Sequence, residues 1–100
     1  MNKQCLSALG LAQKAGKIVY GEKVLEMVRA NQVYLVLVAN DASANTKKKL
    51  LDKTKFYNVK CFEVVDSQTL SKAVGKIARM YLGITDANFA KMILNKLEEE

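Results

Sequence analysis

Residues 33–39 of the chain read VYLVLVA, an unbroken apolar run of the length of a β-strand. A strand with one wet face alternates polar and apolar side chains, whereas a strand that is covered on both faces does not. The run therefore predicts a central strand in a sheet with helices on both sides. A three-layer α/β/α sandwich meets that condition.

Patterns of helix and strand alternate on the amino-terminal side of this run. Residues 3–15 place their apolar side chains on one helical face, and Gly16 is typical of a helix end. The β-branched segment 17–20 predicts a short strand. Gly21 turns the chain into a second helical pattern, whose apolar residues are Val24, Leu25 and Val28.

The alternation continues toward the carboxyl end. Residues 41–46 offer several capping oxygens to a third helix, for which we predict an apolar arc of Leu50, Leu51, Thr54 and Tyr57. The remaining elements are a strand at 60–65, a short helix that Asp66 and Ser67 open and Gly75 ends, a strand at 77–84, and a final helix capped by Thr85 and Asp86. The order α-β-α-β-α-β-α-β-α predicts one α/β domain over residues 1–100, with a largely parallel or mixed sheet of four strands.

The chain carries a formal net charge of +6, and its basic residues are concentrated in the middle. Thirteen of the sixteen Lys and Arg residues lie between Lys14 and Arg79, together with six acidic residues. The acidic segment 98–100 is expected to be a solvated terminus. This excess of positive charge indicates a polyanionic partner.

Residue types needed for catalysis or metal binding are scarce. The chain has no histidine, and its two cysteines, Cys5 on an apolar helix face and Cys61 in a strand, lie at no metal-ligand spacing. We therefore expect free thiols in a reducing, cytoplasmic protein, with no metal or other cofactor, no small-molecule substrate and no enzymatic activity. No segment resembles a secretion signal or a membrane span, so no membrane partner is expected.

Lysine and glycine gather where predicted helices begin or meet strands, at residues 16–17, 21–23 and 45–49. The first turn of a helix presents unpaired N–H groups and a partial positive charge, so it attracts phosphate and disfavours nearby cations. Lys47, Lys48 and Lys49 therefore allow two interpretations. They are either screened by solvent, with a Lys48–Asp52 pair, or placed there to contact nucleic-acid phosphates.

Several motifs, in order along the chain, resemble those of bacterial YlxQ-type proteins. They are GLAQKAGK at 10–17, ANDASANTKKK at 39–49, Asp52-Lys53 with Tyr57-Asn58-Val59, Val74-Gly75-Lys76, and ITDANFAK at 84–91. Such proteins belong to the superfamily of ribosomal proteins often written L-seven-Ae and L-thirty-e, several of which bind RNA at a sharp bend called a kink-turn. The resemblance implies a non-enzymatic RNA-binding protein associated with the ribosome or with translation.

The resemblance also implies which residues contact structured RNA. Gly21, Glu22 and Lys23 would enter the RNA groove at the bend, where a lysine can reach guanine O6 and N7. Asn40-Asp41 and Val65-Asp66-Ser67 would flank the bend, and Val65 with Leu70 would pack on an unstacked base. Phosphate contacts are expected from Lys17, Lys23, Lys47 and Lys48.

The second helix differs from that of the best kink-turn binders. Val24 and Met27 stand where those proteins carry polar side chains, and packing in the core accounts for both residues. An alternative function is a protein-interaction adaptor on the same fold, with little or no specific RNA binding and with its lysines serving solubility. We expect a monomer in either case.

Overall fold

The computed structural model describes residues 1–100 as five helices and four strands in strict alternation. The elements are α1 Lys3–Lys14, β1 Ile18–Tyr20, α2 Glu22–Arg29, β2 Leu35–Val38, α3 Ala44–Phe56, β3 Lys60–Glu63, α4 Ser67–Ala73, β4 Tyr81–Ile84 and α5 Ala87–Glu98. The strands form one sheet with helices on both faces. The predicted element order and the three-layer α/β/α sandwich are confirmed.

The sheet is mixed, with the strand order β1-β4-β2-β3. β4 runs antiparallel to both of its neighbours, β1 and β2, whereas β2 and β3 are parallel. All four residues of β2 are buried, as expected of an inner strand covered on both faces. β3 forms one side of the sheet, and Lys60 and Glu63 at its two ends are exposed.

Two apolar cores lie on opposite faces of the sheet because alternate residues of a strand point in opposite directions. α1, α4 and α5 pack on the face that carries Leu35 and Leu37, whereas α2 and α3 pack on the face that carries Val36 and Val38. The predicted apolar face of α1 is confirmed. Its buried residues are Cys5, Ala8, Leu9 and Ala12.

The close approach of α2 to the sheet depends on Gly83 in β4. A Cβ at this position would lie 3.2 Å from Cγ1 of Val33 and 3.4 Å from Cγ1 of Val24. Val24 is fully buried, and the half-buried Met27 packs against the same core. Val24 and Met27 are therefore both core residues of α2, as we predicted from the sequence.

Side-chain oxygens cap the starts of three helices that the sequence marked. Ser43 accepts a hydrogen bond from the amide of Thr46 at the start of α3, and Asp66 accepts one from the amide of Thr69 in α4. Asp86 does the same for α5, whose Phe89 amide lies 2.9 Å from the carboxylate. These contacts satisfy amides that have no partner within their own helix.

The fourth strand is shorter than predicted. Residues 77–80 form a loop rather than the start of a strand, because Ala78 has a positive φ of 56° and the backbone of Arg79 is bonded to Ser71 instead of to a strand. Ile77 is 89% exposed in this loop. The apolar run at 77–84 is therefore only partly a core signal.

The apolar arc of the third helix is also narrower than predicted. Leu50 and Thr54 are buried, and Thr54 donates its hydroxyl hydrogen to the Leu50 carbonyl at 2.7 Å. Leu51 is 49% exposed, so its place in the predicted arc is wrong. One residue further along the helix turns the side chain by about 100°, which carries it off the buried face.

Cys5 and Cys61 are free thiols, as predicted. Burial raises the pKa of both, so each is held as a neutral thiol at neutral pH. None of the helices combines the length with the apolar composition that crossing a membrane requires.

Candidate functional site

One edge of the sheet collects the loops that the sequence singled out. Strand register aligns Tyr20 with Leu82, Tyr81 with Val38, and Val38 with Glu63. β1, β2 and β3 therefore end at the same edge at which β4 begins. We call this end of the sheet, where the strand ends and their loops meet, the loop edge. It comprises residues 21–23, 39–43, 64–67 and 76–80.

Three helices begin at the loop edge. α2 starts at Glu22, α3 at Ala44 and α4 at Ser67, each directly after a strand or a short turn. The first turn of a helix carries amide hydrogens without intrahelical partners and a partial positive charge. The three starts therefore add to the attraction for anions that nearby lysines provide.

The loop after β2 is fastened to the loop after β3. The carboxylate of Asp41 accepts hydrogen bonds from the hydroxyl of Ser67 at 2.7 Å and from its amide at 2.8 Å. The amide of Asn40 donates to the carbonyl of Val65 at 2.9 Å. The Ser67 bonds hold the pKa of Asp41 below its ordinary value, because they stabilise the ionised carboxylate.

Lys47 is engaged within the protein. Its ammonium group donates to the Asn40 carbonyl at 2.6 Å and lies 3.1 Å from the carboxylate of Glu63. The Lys48–Asp52 pair, part of one of the two interpretations of these lysines, is not formed, since Met1–Glu100 and Lys47–Glu63 are the ion pairs of this structure. Lys48 is exposed and unpaired, so it is available to a partner, whereas Lys47 positions Asn40.

Gly21 makes the turn from β1 into α2. Its backbone angles, φ 61° and ψ −143°, lie in a region that residues with a side chain rarely adopt. The following residues, Glu22 and Lys23, are exposed in the first turn of the helix. Gly21 thus lets the chain reverse within one residue and presents Lys23 at the loop edge.

The loop 76–80 belongs to the same edge, although the sequence indicated a strand there. Its Arg79 guanidinium lies 5.1 Å from the ring centre of Tyr20, and the Lys76 ammonium lies 5.9 Å from it. The Tyr20 hydroxyl donates to the side-chain oxygen of Gln13, which fixes the ring. The charged Arg79 within this apolar run was the sequence signal against a strand covered on both faces.

Two of the predicted RNA-contact residues lie elsewhere. Lys17 precedes β1, and its carbonyl accepts from the amide of Thr85, which follows β4. It therefore lies at the opposite edge of the sheet, about 13 Å along the strand direction from Gly21. Leu70 is a residue of α4 whose side chain is fully buried in the core, so it cannot pack on an unstacked base in this structure.

The other predicted residues are brought together. Gly21, Glu22, Lys23, Asn40, Asp41, Lys47, Lys48, Val65, Asp66 and Ser67 all lie on or next to the loop edge. Asp66 is committed to capping α4, and its bonds to Thr69 lower the pKa of its carboxyl. No group of three or more His, Cys, Asp or Glu side chains is arranged to hold a metal ion.

The mixed four-stranded sheet, with three helix starts at its loop edge and Lys47 and Lys48 next to it, defines the class of small α/β/α sandwiches that present an anion-attracting edge. Residues 3–94 match the model of the "Ribosomal protein L7Ae/L30e/S12e/Gadd45 family". The chain belongs to this family, which confirms the resemblance that the motifs indicated.

Relatives and solved structures agree with this assignment. The chain is 38% identical over 97 residues to "RNA-binding protein YlxQ" of Enterococcus faecium, covering 96% of this chain and 93% of the relative. It is 40% identical over 91 residues to the protein of the same name from Bacillus subtilis (strain 168), covering 90% and 91%.

The fold is shared with solved structures. A Bacillus halodurans protein described as of unknown function superimposes with a TM-score of 0.94 at 38% identity, covering 97% of this chain and 99% of that one. The "Giardia lamblia 15.5kD RNA binding protein" superimposes with a TM-score of 0.80 at 18% identity, covering 99% and 92%. At that low identity the second likeness concerns the fold alone.

Proposed function

We propose that the protein binds structured RNA, without catalysis, through its loop edge. The observation that carries the proposal is the convergence of three helix starts with Lys23 and Lys48, both exposed, at one edge of the sheet. The two YlxQ relatives named as RNA-binding proteins support it. Phosphate is the ligand group that such a surface attracts most strongly.

Each part of the edge has a separate role in this proposal. Lys48 and the amides at the starts of α2 and α3 meet phosphates, while Lys23 reaches base edges where the RNA groove is open. Asn40 and the two hydrogen bonds between Ser67 and Asp41, which we call the Asp41–Ser67 clasp, hold the loops at a fixed spacing. This spacing sets the register of the RNA. Glu22 is the first residue of α2, beside the bound RNA, and the partial positive charge at this end of the helix stabilises its carboxylate.

The exposed side chain of Ile77 takes the role first expected of Leu70. Ile77 is 89% exposed, and its loop is held against Tyr20 by Arg79. An apolar side chain at the rim of a basic surface can pack on the face of an unstacked base. Val65, half-buried in the loop after β3, belongs to the same loop edge.

A bent RNA motif such as a kink-turn is the proposed target. A duplex that bends sharply opens its groove and exposes guanine O6 and N7, which a helix start at Gly21 and Lys23 can enter. Because Val24 and Met27 are used in the core, the shape of the backbone contributes more to recognition here than base-edge contacts do. A ribosomal or translation-associated RNA is the proposed source of such a motif.

A titration of a kink-turn RNA against a straight duplex of equal length tests the proposal. We expect tighter binding to the bent RNA and a negative slope of log K against log salt, of roughly −0.7 to −0.9 for each phosphate that a cationic side chain neutralises. Equal affinity for both RNAs would remove the kink-turn and leave a general RNA-binding protein. A flat salt response would contradict RNA binding by this surface.

Association with the ribosome is tested separately in cells. A tagged protein should sediment with ribosomal particles in a sucrose gradient, and ribonuclease treatment before the gradient should release it. The adaptor alternative makes the opposite prediction, because a partner held by protein contacts stays bound after the RNA is digested.

A further inference from the structure

A groove of about 720 Å³ runs between α1 and α5 on the outer surface of the molecule. Its floor is apolar, with Ala8 and Leu11 from α1 and Met92 from α5. Leu11 is 55% exposed, although the other large apolar residue of the same helix turn, Leu9, is fully buried. No element of this chain covers the groove.

The charged residues that line the groove are both positive. Lys3 and Lys96 stand at one end, because α1 and α5 run in opposite directions, and neither takes part in an ion pair. None of the acidic residues near the end of α5 lines the groove. Glu98 and Glu100 line a separate hollow beside Phe62, and Glu100 is paired with the Met1 ammonium at 3.3 Å.

We propose that this groove binds an amphipathic helix of a partner protein that carries acidic residues. The residues that line the groove extend from Lys3 to Leu11 along α1, so the groove is about 12 Å long and can hold about two turns of a third helix. Apolar residues at i, i+3 or i+4, and i+7 of the partner would rest on Leu11 and Met92. Its carboxylates would meet Lys3 and Lys96.

The groove suits a protein better than RNA. It offers no aromatic side chain on which a base can stack, and its two lysines do not form the row of cations that follows a phosphate backbone. The flexible Met92 side chain can adapt to a partner's apolar side chains. The proposal is independent of RNA binding, because α1 and α5 contribute no residue to the loop edge.

The probe is a synthetic helical peptide of about 15 residues with leucines on one face and glutamates elsewhere. Binding is measured by fluorescence anisotropy, and we expect a Kd on the order of 10–100 µM. Leu11→Glu should weaken binding at least about tenfold. The matched control Leu51→Glu, at a leucine of similar exposure on α3, should change it less than about twofold.

A charge swap makes the test specific. The double variant Lys3→Glu/Lys96→Glu should lose the glutamate peptide and bind a version in which lysines replace the glutamates. The same variant should keep its affinity for kink-turn RNA within about threefold, because dissolved salt screens charges that lie far from the loop edge.

Three results would overturn the proposal. One is the absence of saturable binding up to millimolar peptide by wild-type protein whose fold is verified by circular dichroism. Another is a loss of RNA affinity in Lys3→Glu/Lys96→Glu as large as that in a loop-edge variant, which would make the groove an RNA surface. The third is a concentration-dependent dimer that Leu11→Glu dissociates, which would assign the groove to a second copy of the chain.

Discussion

The two edges of the sheet carry similar residue types and differ in how the fold assembles them. Each has a glycine with positive φ followed by a lysine within two residues, Gly21 with Lys23 at the loop edge and Gly16 with Lys17 at the opposite edge. Three helices start at the loop edge, whereas at the opposite one α1, α2 and α3 end and α5 alone starts. Cations at the loop edge act together with three helix starts, whereas Lys17 lies where three helix ends, with their partial negative charge, outnumber the single start of α5.

Charge reversal at the two edges gives the largest expected difference. Lys23→Glu/Lys48→Glu should weaken binding to a kink-turn RNA by about 100-fold or more near physiological salt, since it replaces the contact of Lys48 with phosphate and that of Lys23 with base edges by two repulsions from the RNA. Lys14→Glu/Lys17→Glu changes the net charge by the same amount at the opposite edge and should cost less than about fivefold. Fluorescence anisotropy with labelled RNA measures both, and equal losses would show that overall charge, rather than the loop edge, governs binding.

Substitution of the two glycines compares the edges in stability. Gly21→Ala forces a side chain into φ 61°, ψ −143°, and should lower the free energy of unfolding by about 1–3 kcal/mol. Gly16→Asn should cost no more than about 1 kcal/mol, because asparagine tolerates positive φ, as Asn31 and Asn58 do in this molecule. Urea denaturation at neutral pH measures both values. A Gly21→Ala protein as stable as the wild type would contradict the strained turn.

Removal of an exposed apolar side chain tests the loop 76–80. Ile77→Ser should reduce affinity for the bent RNA about five- to tenfold, because a base loses its apolar contact, and should leave stability within about 0.5 kcal/mol. Leu51→Ser on α3 is the control and should change neither quantity. An unaltered Ile77→Ser affinity would remove this loop from the RNA contact.

Loss of the hydrogen bonds between Asp41 and Ser67 should give the smallest effect, a change in stability that depends on pH. The folded-state pKa of Asp41 is lowered, so its ionised form stabilises the fold above the ordinary value of 3.8, and that stabilisation is lost as pH falls through the lowered pKa. Asp41→Asn should therefore melt below the wild type at pH 7, and the two melting temperatures should converge in strong acid. A difference that stays constant from pH 7 to pH 2 would mean that the carboxylate charge does not matter.

The sequence predicted the layers of this fold better than the ends of its strands. The run 33–39 identified the central strand because burial on both faces leaves an unbroken apolar signature. Residues 77–80 are also apolar apart from Arg79, yet the chain leaves the strand path there, since the bonds between Ser71 and Arg79 depend on a tertiary contact. Periodicity describes local structure and does not report such contacts.

The positions of the candidate site residues were likewise predicted only in part. The loops at Gly21, Asn40 and Asp66 follow three strands, and their meeting at one edge follows from topology once the order of strands is known. Lys17 was grouped with them because it also adjoins a glycine, but strand direction sends it to the other edge. Leu70 was assigned to the RNA contact by the resemblance, whereas the helical turn after Asp66 carries it inward.

The charged ends of β3 have a consequence for how the protein behaves at high concentration. An uncovered strand at the side of a sheet offers its free peptide groups to a strand of another molecule, and such pairing is how many proteins begin to aggregate. Lys60 and Glu63 are exposed at the two ends of β3, and an incoming strand would have to desolvate them. This side of the sheet is thereby guarded against growth into fibres.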